Sequence, residues 1–161
     1  MILRIIFSLL IFFSLISHSY SASSSSGSGS KSNFDKATKL IKAAKKYESN
    51  GKNEKAKKRY ERALKLLIKS NKDKPNQADT LNYLGFTTRK LGNYEEGEKY
   101  YLLGLKIDPN HKGINEYLGE LYVVTNRIEL AKQRLDVLKN CNCEEYEDLK
   151  DIINGNKKSK Y

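Results

Sequence analysis

From Phe34 onward, apolar residues recur at helical spacing. Leu64, Leu67 and Ile68 fall on one face, and so do Leu81, Leu84 and Leu91, the recurrence of an amphipathic helix. No stretch alternates apolar and polar with a period of two over six residues, so no strand is predicted. Breakers interrupt the pattern at Asn50-Gly51, Gly92-Asn93, Asp108-Pro109-Asn110 and Thr125-Asn126, where turns are expected. Asp and Asn in such turns also cap the helix that follows. Tyr146, Leu149, Ile152 and Ile153 mark one more amphipathic helix, over 144–153. Its first turn is acidic, where the helix dipole favours negative charge.

The pattern repeats. Leu84-Gly85 recurs as Leu118-Gly119, and Gly97 as Ala131, each 34 residues later. Backwards, Gly92, Gly97, Tyr101, Gly104 and Leu105 match Gly51, Ala56, Tyr60, Ala63 and Leu64 at a step of 41. The surplus of seven is one insertion, NKDKPNQ at 71–77. The predicted units are therefore 37–70, 78–111 and 112–145. Small residues at Ala56, Gly85, Gly97, Gly119 and Ala131 let helices approach closely, and tyrosines opposite them fill the gap.

This chain resembles the tetratricopeptide repeat, a pair of antiparallel helices per 34-residue unit. The second unit carries the resemblance most fully, through Leu84, Gly85, Tyr101, Gly104 and Pro109; it departs at Thr88 and Gly97. The third supplies Leu118, Gly119, Tyr122 and Ala131 and departs at Leu135 and Leu138. The first supplies Tyr47, Ala56, Tyr60 and Ala63 but has Ala43-Ala44 in place of Leu-Gly. The resemblance implies an all-α, right-handed solenoid of three units over 34–153, with the helix at 144–153 as its cap.

The resemblance also implies a concave groove lined by the first helix of each unit. Its positions fall on Lys42 and Lys45, on Asn82, Tyr83, Phe86, Arg89 and Lys90, and on Glu116, Tyr117, Glu120 and Val124. Such a surface is aromatic at the centre, basic on one side and acidic on the other. It suits an extended peptide or a helix anchored on Tyr83, Phe86 and Tyr117. Some members of the family clamp a terminal carboxylate with Lys, Asn and Arg, but Glu116 and Glu120 would repel one here.

The N-terminal residues do not continue the pattern. Residues 1–22 read MILRIIFSLLIFFSLISHSYSA. Arg4 precedes an apolar-plus-Ser run over 5–16, well short of the roughly 20 apolar residues that a spanning helix needs. Ser19 and Ser21 place small side chains before a cleavage point after Ser21, which predicts a secretory signal peptide over 1–21. A Ser/Gly-rich segment, 22–33, follows and has nothing to bury. Together with Cys143-Glu144-Glu145-Tyr146, this layout resembles small exported repeat proteins of Gram-negative bacteria. That resemblance implies a periplasmic or secreted location and a scaffold role.

The formal net charge is +11 over 161 residues. Residues 31–75 hold 16 Lys/Arg against 5 Asp/Glu, and 154–161 form a short basic tail. The basic first third favours an anionic envelope surface as an alternative partner. No base-reading motif points to nucleic acid.

Catalytic signals are absent. His18 lies in the signal peptide, His111 in a turn, and no phosphate loop or nucleophile elbow occurs. No enzyme activity, cofactor, small-molecule substrate or metal site is expected. Cys141 and Cys143 occupy the turn closing unit three, where unit two has Ile107 and Pro109. In an oxidising compartment they are candidates for a bridge. Free thiols, a link to a second chain, thiol-redox chemistry and metal binding stay open as other uses.

Overall fold

The structure is a computed structural model and describes residues 31–159. The predicted signal peptide and most of the Ser/Gly segment lie outside the described residues, as do Lys160 and Tyr161. Seven helices follow: α1 (Asn33–Ser49), α2 (Asn53–Asp73), α3 (Ala78–Lys90), α4 (Tyr94–Ile107), α5 (Lys112–Val124), α6 (Ile128–Leu138) and α7 (Glu144–Ile153). Among the described residues there is no strand.

The helices pair as α1 with α2, α3 with α4 and α5 with α6, and each pair packs on the next. Contacts of α1 with α3, α3 with α5 and α5 with α7 assemble one layer from the odd-numbered helices. The described residues thus form an all-α solenoid, three helical pairs and a closing helix.

Local sequence sets each element. Ser32 caps α1 through a reciprocal pair of bonds: Asp35 N–H donates to Ser32 Oγ at 3.1 Å, and Ser32 N–H donates to Asp35 Oδ2 at 3.2 Å. Asn93 caps α4 by accepting from Glu96 N–H at 3.2 Å. The turns inside the three pairs share one device. Gly51 (φ 70°), Gly92 (φ 91°) and Asn126 (φ 58°) occupy equivalent positions in the left-handed region, which Gly and Asn tolerate best. The insertion at 71–77 is spent partly as helix, since α2 runs on through Asp73.

The core alternates small and large. Ala37, Ala44, Ala56 and Ala63 pack with Ile41, Tyr60, Leu67, Leu84 and Phe86 in one cluster. Tyr101, Ile114, Leu118, Leu121, Tyr122 and Ala131 form the next. Full burial of a side chain this large contributes about 2–3 kcal/mol. The glycines admit the bulk. A Cβ at Gly85 would lie 2.5 Å from Tyr101 Cε1, and one at Gly119 would lie 2.5 Å from Leu149 Cδ2. This explains the departure at Leu135. Leu135 stands where unit two has Tyr101, and the gap over Gly119 is filled from α7 by Leu149 instead.

Between α6 and α7, a disulfide joins Cys141 to Cys143, with their Cα atoms 5.2 Å apart. Asn142 between them has φ 45°, and Cys143 is the residue preceding α7. The bridge therefore sits at the entry to the closing helix, directly before the segment that fills the gap over Gly119.

Candidate interaction surface

The odd-numbered helices carry every residue of the predicted groove. Lys45 of α1 reaches across α3 to α5: its Nζ donates to Tyr117 Oη at 3.3 Å. That reach requires the layer to curve inward over α3, so this face is the concave one. The same Nζ lies 4.4 Å from the Phe86 ring centroid and 5.5 Å from that of Tyr117. Phe86 and Tyr117 are themselves 5.1 Å apart, centroid to centroid. Lys45, Phe86 and Tyr117 thus form one cation–aromatic cluster at the centre of the face.

The predicted residues fall into three classes. Lys42 and Lys45 are exposed, and Tyr83 and Tyr117 are half-buried. Asn82, Phe86, Arg89, Glu116 and Glu120 are buried. Arg89 Nη2 lies 3.1 Å from Glu120 Oε2, both side chains being fully shielded, and Arg89 Nη1 donates to the Tyr117 carbonyl. Arg89 and Glu120 therefore tie α3 to α5. Tyr83 stacks edge-on to Phe34 of α1, with centroids 5.6 Å apart, and burial pushes its hydroxyl pKa up.

An open cleft of about 470 Å³ lies on this face between the N-terminal ends of α3 and α5. Asn82, Tyr83, Glu116 and Tyr117 line it, with Asp79 and His111 at its edge. His111 has a fixed tautomer there. Its Nδ1 accepts from Ile114 N–H at 3.2 Å, capping α5, so Nε2 carries the proton and donates to Asp79 Oδ1 at 3.1 Å.

Sequence reasoning missed several residues of this layer. Glu48 of α1 accepts from Tyr60 Oη at 2.8 Å and pairs with Lys90 Nζ at 2.8 Å, joining α1, α2 and α3. Asp148 of α7 pairs with Lys157, and Ser159 Oγ donates to Glu120 Oε2 at 3.2 Å. A glycine at 155, just past the last periodic apolar residue, was the available sign of a turn there. Nothing in the sequence named the carboxylates it leads to. Among the described residues, no group of three or more His, Cys, Asp or Glu side chains is arranged to hold a metal ion. No helix among them is long and apolar enough to cross a membrane.

Residues 34–110 match the family model of the tetratricopeptide repeat. The matched segment, which holds the first two helical pairs, is built of tetratricopeptide repeats. Solved structures of similar fold include the first such domain of Spaghetti (RPAP3), bound to the HSP90 peptide SRMEEVD. It has TM-score 0.55 and 18% identity, and the match covers 80% of this chain and 98% of that one. The Sgt2 domain of Aspergillus fumigatus has TM-score 0.55 and 15% identity, with 80% and 84% covered. The type III secretion translocator chaperone SycD of Yersinia enterocolitica has TM-score 0.53 and 16% identity, with 75% and 83% covered. Identities this low carry the fold alone. No curated protein matches the chain.

Proposed function

We propose that this chain is a non-catalytic interaction module, exported from the cell that makes it, whose concave face holds a peptide segment or a helix of a protein partner. The observation that carries this reading is the Lys45–Phe86–Tyr117 cluster, flanked by the half-buried Tyr83. Half-buried aromatics on a rigid concave layer are what a docked segment packs against, and such anchors dominate binding energy at interfaces. The similar RPAP3 domain holds the peptide SRMEEVD, which supports peptide capture as the class of function. It does not supply the ligand.

Capture from an envelope extract tests the reading. Tyr83→Ala with Tyr117→Ala abolishes retention of the partner while circular dichroism shows the helices intact. Unchanged retention would move the binding surface elsewhere. Export rests on the layout of residues 1–21. Sequencing the mature N-terminus checks it: a protein beginning at Ala22 supports export, and one that retains Met1 removes that part of the reading.

A further inference from the structure

The chain does not stop at α7. Gly155, at φ 75°, donates its N–H to the Ile152 carbonyl at 3.2 Å, and Asn156 N–H donates to the Asp151 carbonyl at 2.9 Å. Those two bonds complete a Schellman turn, which ends the helix and reverses the backbone. The residues that follow meet two carboxylates. Lys157 Nζ pairs with Asp148 of α7, and Ser159 Oγ donates to Glu120 Oε2 of α5 at 3.2 Å. Neither acid is loosely solvated: the Asp148 side chain is 12% exposed and that of Glu120 is 0%. Hydrogen bonds to ionised groups shielded from water are the stronger kind. The segment itself, NGNKKSKY at 154–161, has three lysines and no acid.

We propose that Glu120 and Asp148 make the α5–α7 end of the concave face a recognition site for extended segments bearing lysine and hydroxyl groups. The chain's own tail is its resident occupant, and an incoming basic segment must displace it. This deepens the reading of the concave face as a peptide-binding surface and rests on it. Tethering presents a tail at an effective concentration on the order of millimolar. A segment with a free dissociation constant of about 0.1 mM would then be held back roughly tenfold by the resident copy.

The probe is a labelled synthetic peptide of residues 154–161, titrated at low salt. The receptors are the full chain, a chain truncated after Asn156, which keeps the Schellman turn, and a full-length chain carrying Lys157→Ala and Ser159→Ala. Both tail variants bind the probe roughly tenfold more tightly than the full chain. Adding Asp148→Asn removes that gain, and a probe with its lysines changed to glutamate does not bind. Equal affinity for all three receptors overturns the proposal. A concentration-dependent dimer that only the full chain forms also overturns it, by placing the tail on a second copy. Should truncation unfold the protein, the substituted full-length chain decides. Partner capture through Tyr83 and Tyr117 is read separately, so its survival beside a failed probe titration would sink the tail reading alone.

Discussion

Arg89 of α3 and Glu120 of α5 form an ion pair with a nitrogen–oxygen distance of 3.1 Å and no exposed side-chain surface on either partner. The pair joins unit two to unit three through the concave layer. Two charges taken out of water together are near balance; one left alone is not. Glu120→Leu is therefore expected to cost about 3–5 kcal/mol of unfolding free energy. Arg89→Met combined with Glu120→Leu is expected to cost much less than the two single changes summed. Urea unfolding of the four proteins of the cycle measures this, and an additive result would remove the pair from the account.

Gly119→Ala sets two effects against each other. A helical Gly→Ala change gains about 1 kcal/mol of propensity. The new methyl would lie 2.5 Å and 2.7 Å from the two Leu149 methyls, and Leu149 is fully buried. Overpacking of that kind costs up to about 3 kcal/mol, so the net expectation is a loss of about 2 kcal/mol, seen as a lower Tm. Leu149→Ala in the same chain should recover part of that loss. An unchanged or raised Tm for Gly119→Ala would mean that α7 docks less tightly than the contact indicates.

Alkaline titration reads the buried tyrosines. Burial raises the pKa of Tyr60 and Tyr101 far above the ordinary value, and for Tyr60 the hydrogen bond to Glu48 adds to it. The folded state thus favours the neutral phenol. Its stabilisation is complete below the unfolded pKa of about 10. It is lost as pH rises beyond that, where the unfolded chain ionises first. The last part of the phenolate absorbance, from Tyr60 and Tyr101, should therefore appear together with loss of helical circular dichroism. Full phenolate formation in a folded chain would contradict it. Tyr60→Phe, which deletes the bond to Glu48, is expected to cost about 1–2 kcal/mol.

The Cys141–Cys143 bridge closes a loop of three residues. On the chain-entropy model a loop that short contributes only about 1.5 kcal/mol. Replacing both cysteines with serine is expected to lower global stability by no more than that. Limited proteolysis should nonetheless cut faster between α6 and α7, because the bridge fixes the entry to α7. Loss of the whole fold on reduction would give the bridge a larger role.

The repeat architecture was legible because it is written in spacing. Gly85 and Gly119, and Tyr60 and Tyr101, recur at fixed steps, and each fits its place by size. Leu135 departs from the repeat in unit three, and only the packing of Leu149 on Gly119 accounts for it. The concave layer was legible as a set of residues but not as contacts. Spacing places Arg89 and Glu120 on the inner helices, yet their pairing depends on how far the layer curves. The same holds for Lys45 and Tyr117, which are 72 residues apart. The tail contacts left the faintest trace: Gly155 announces a reversal, while Glu120 lies 39 residues upstream of Ser159.

Among the described helices, close backbone packing joins only those adjacent in the stack. A lesion in such a chain has few routes along which to spread. Damage in α5 reaches α1 by way of α3 or through the reach of Lys45 to Tyr117. The end nearest α7 can therefore fray and re-form while α1 and α2 hold their protons against exchange, and the protein tolerates local injury as a row of linked carriages does, coupling by coupling.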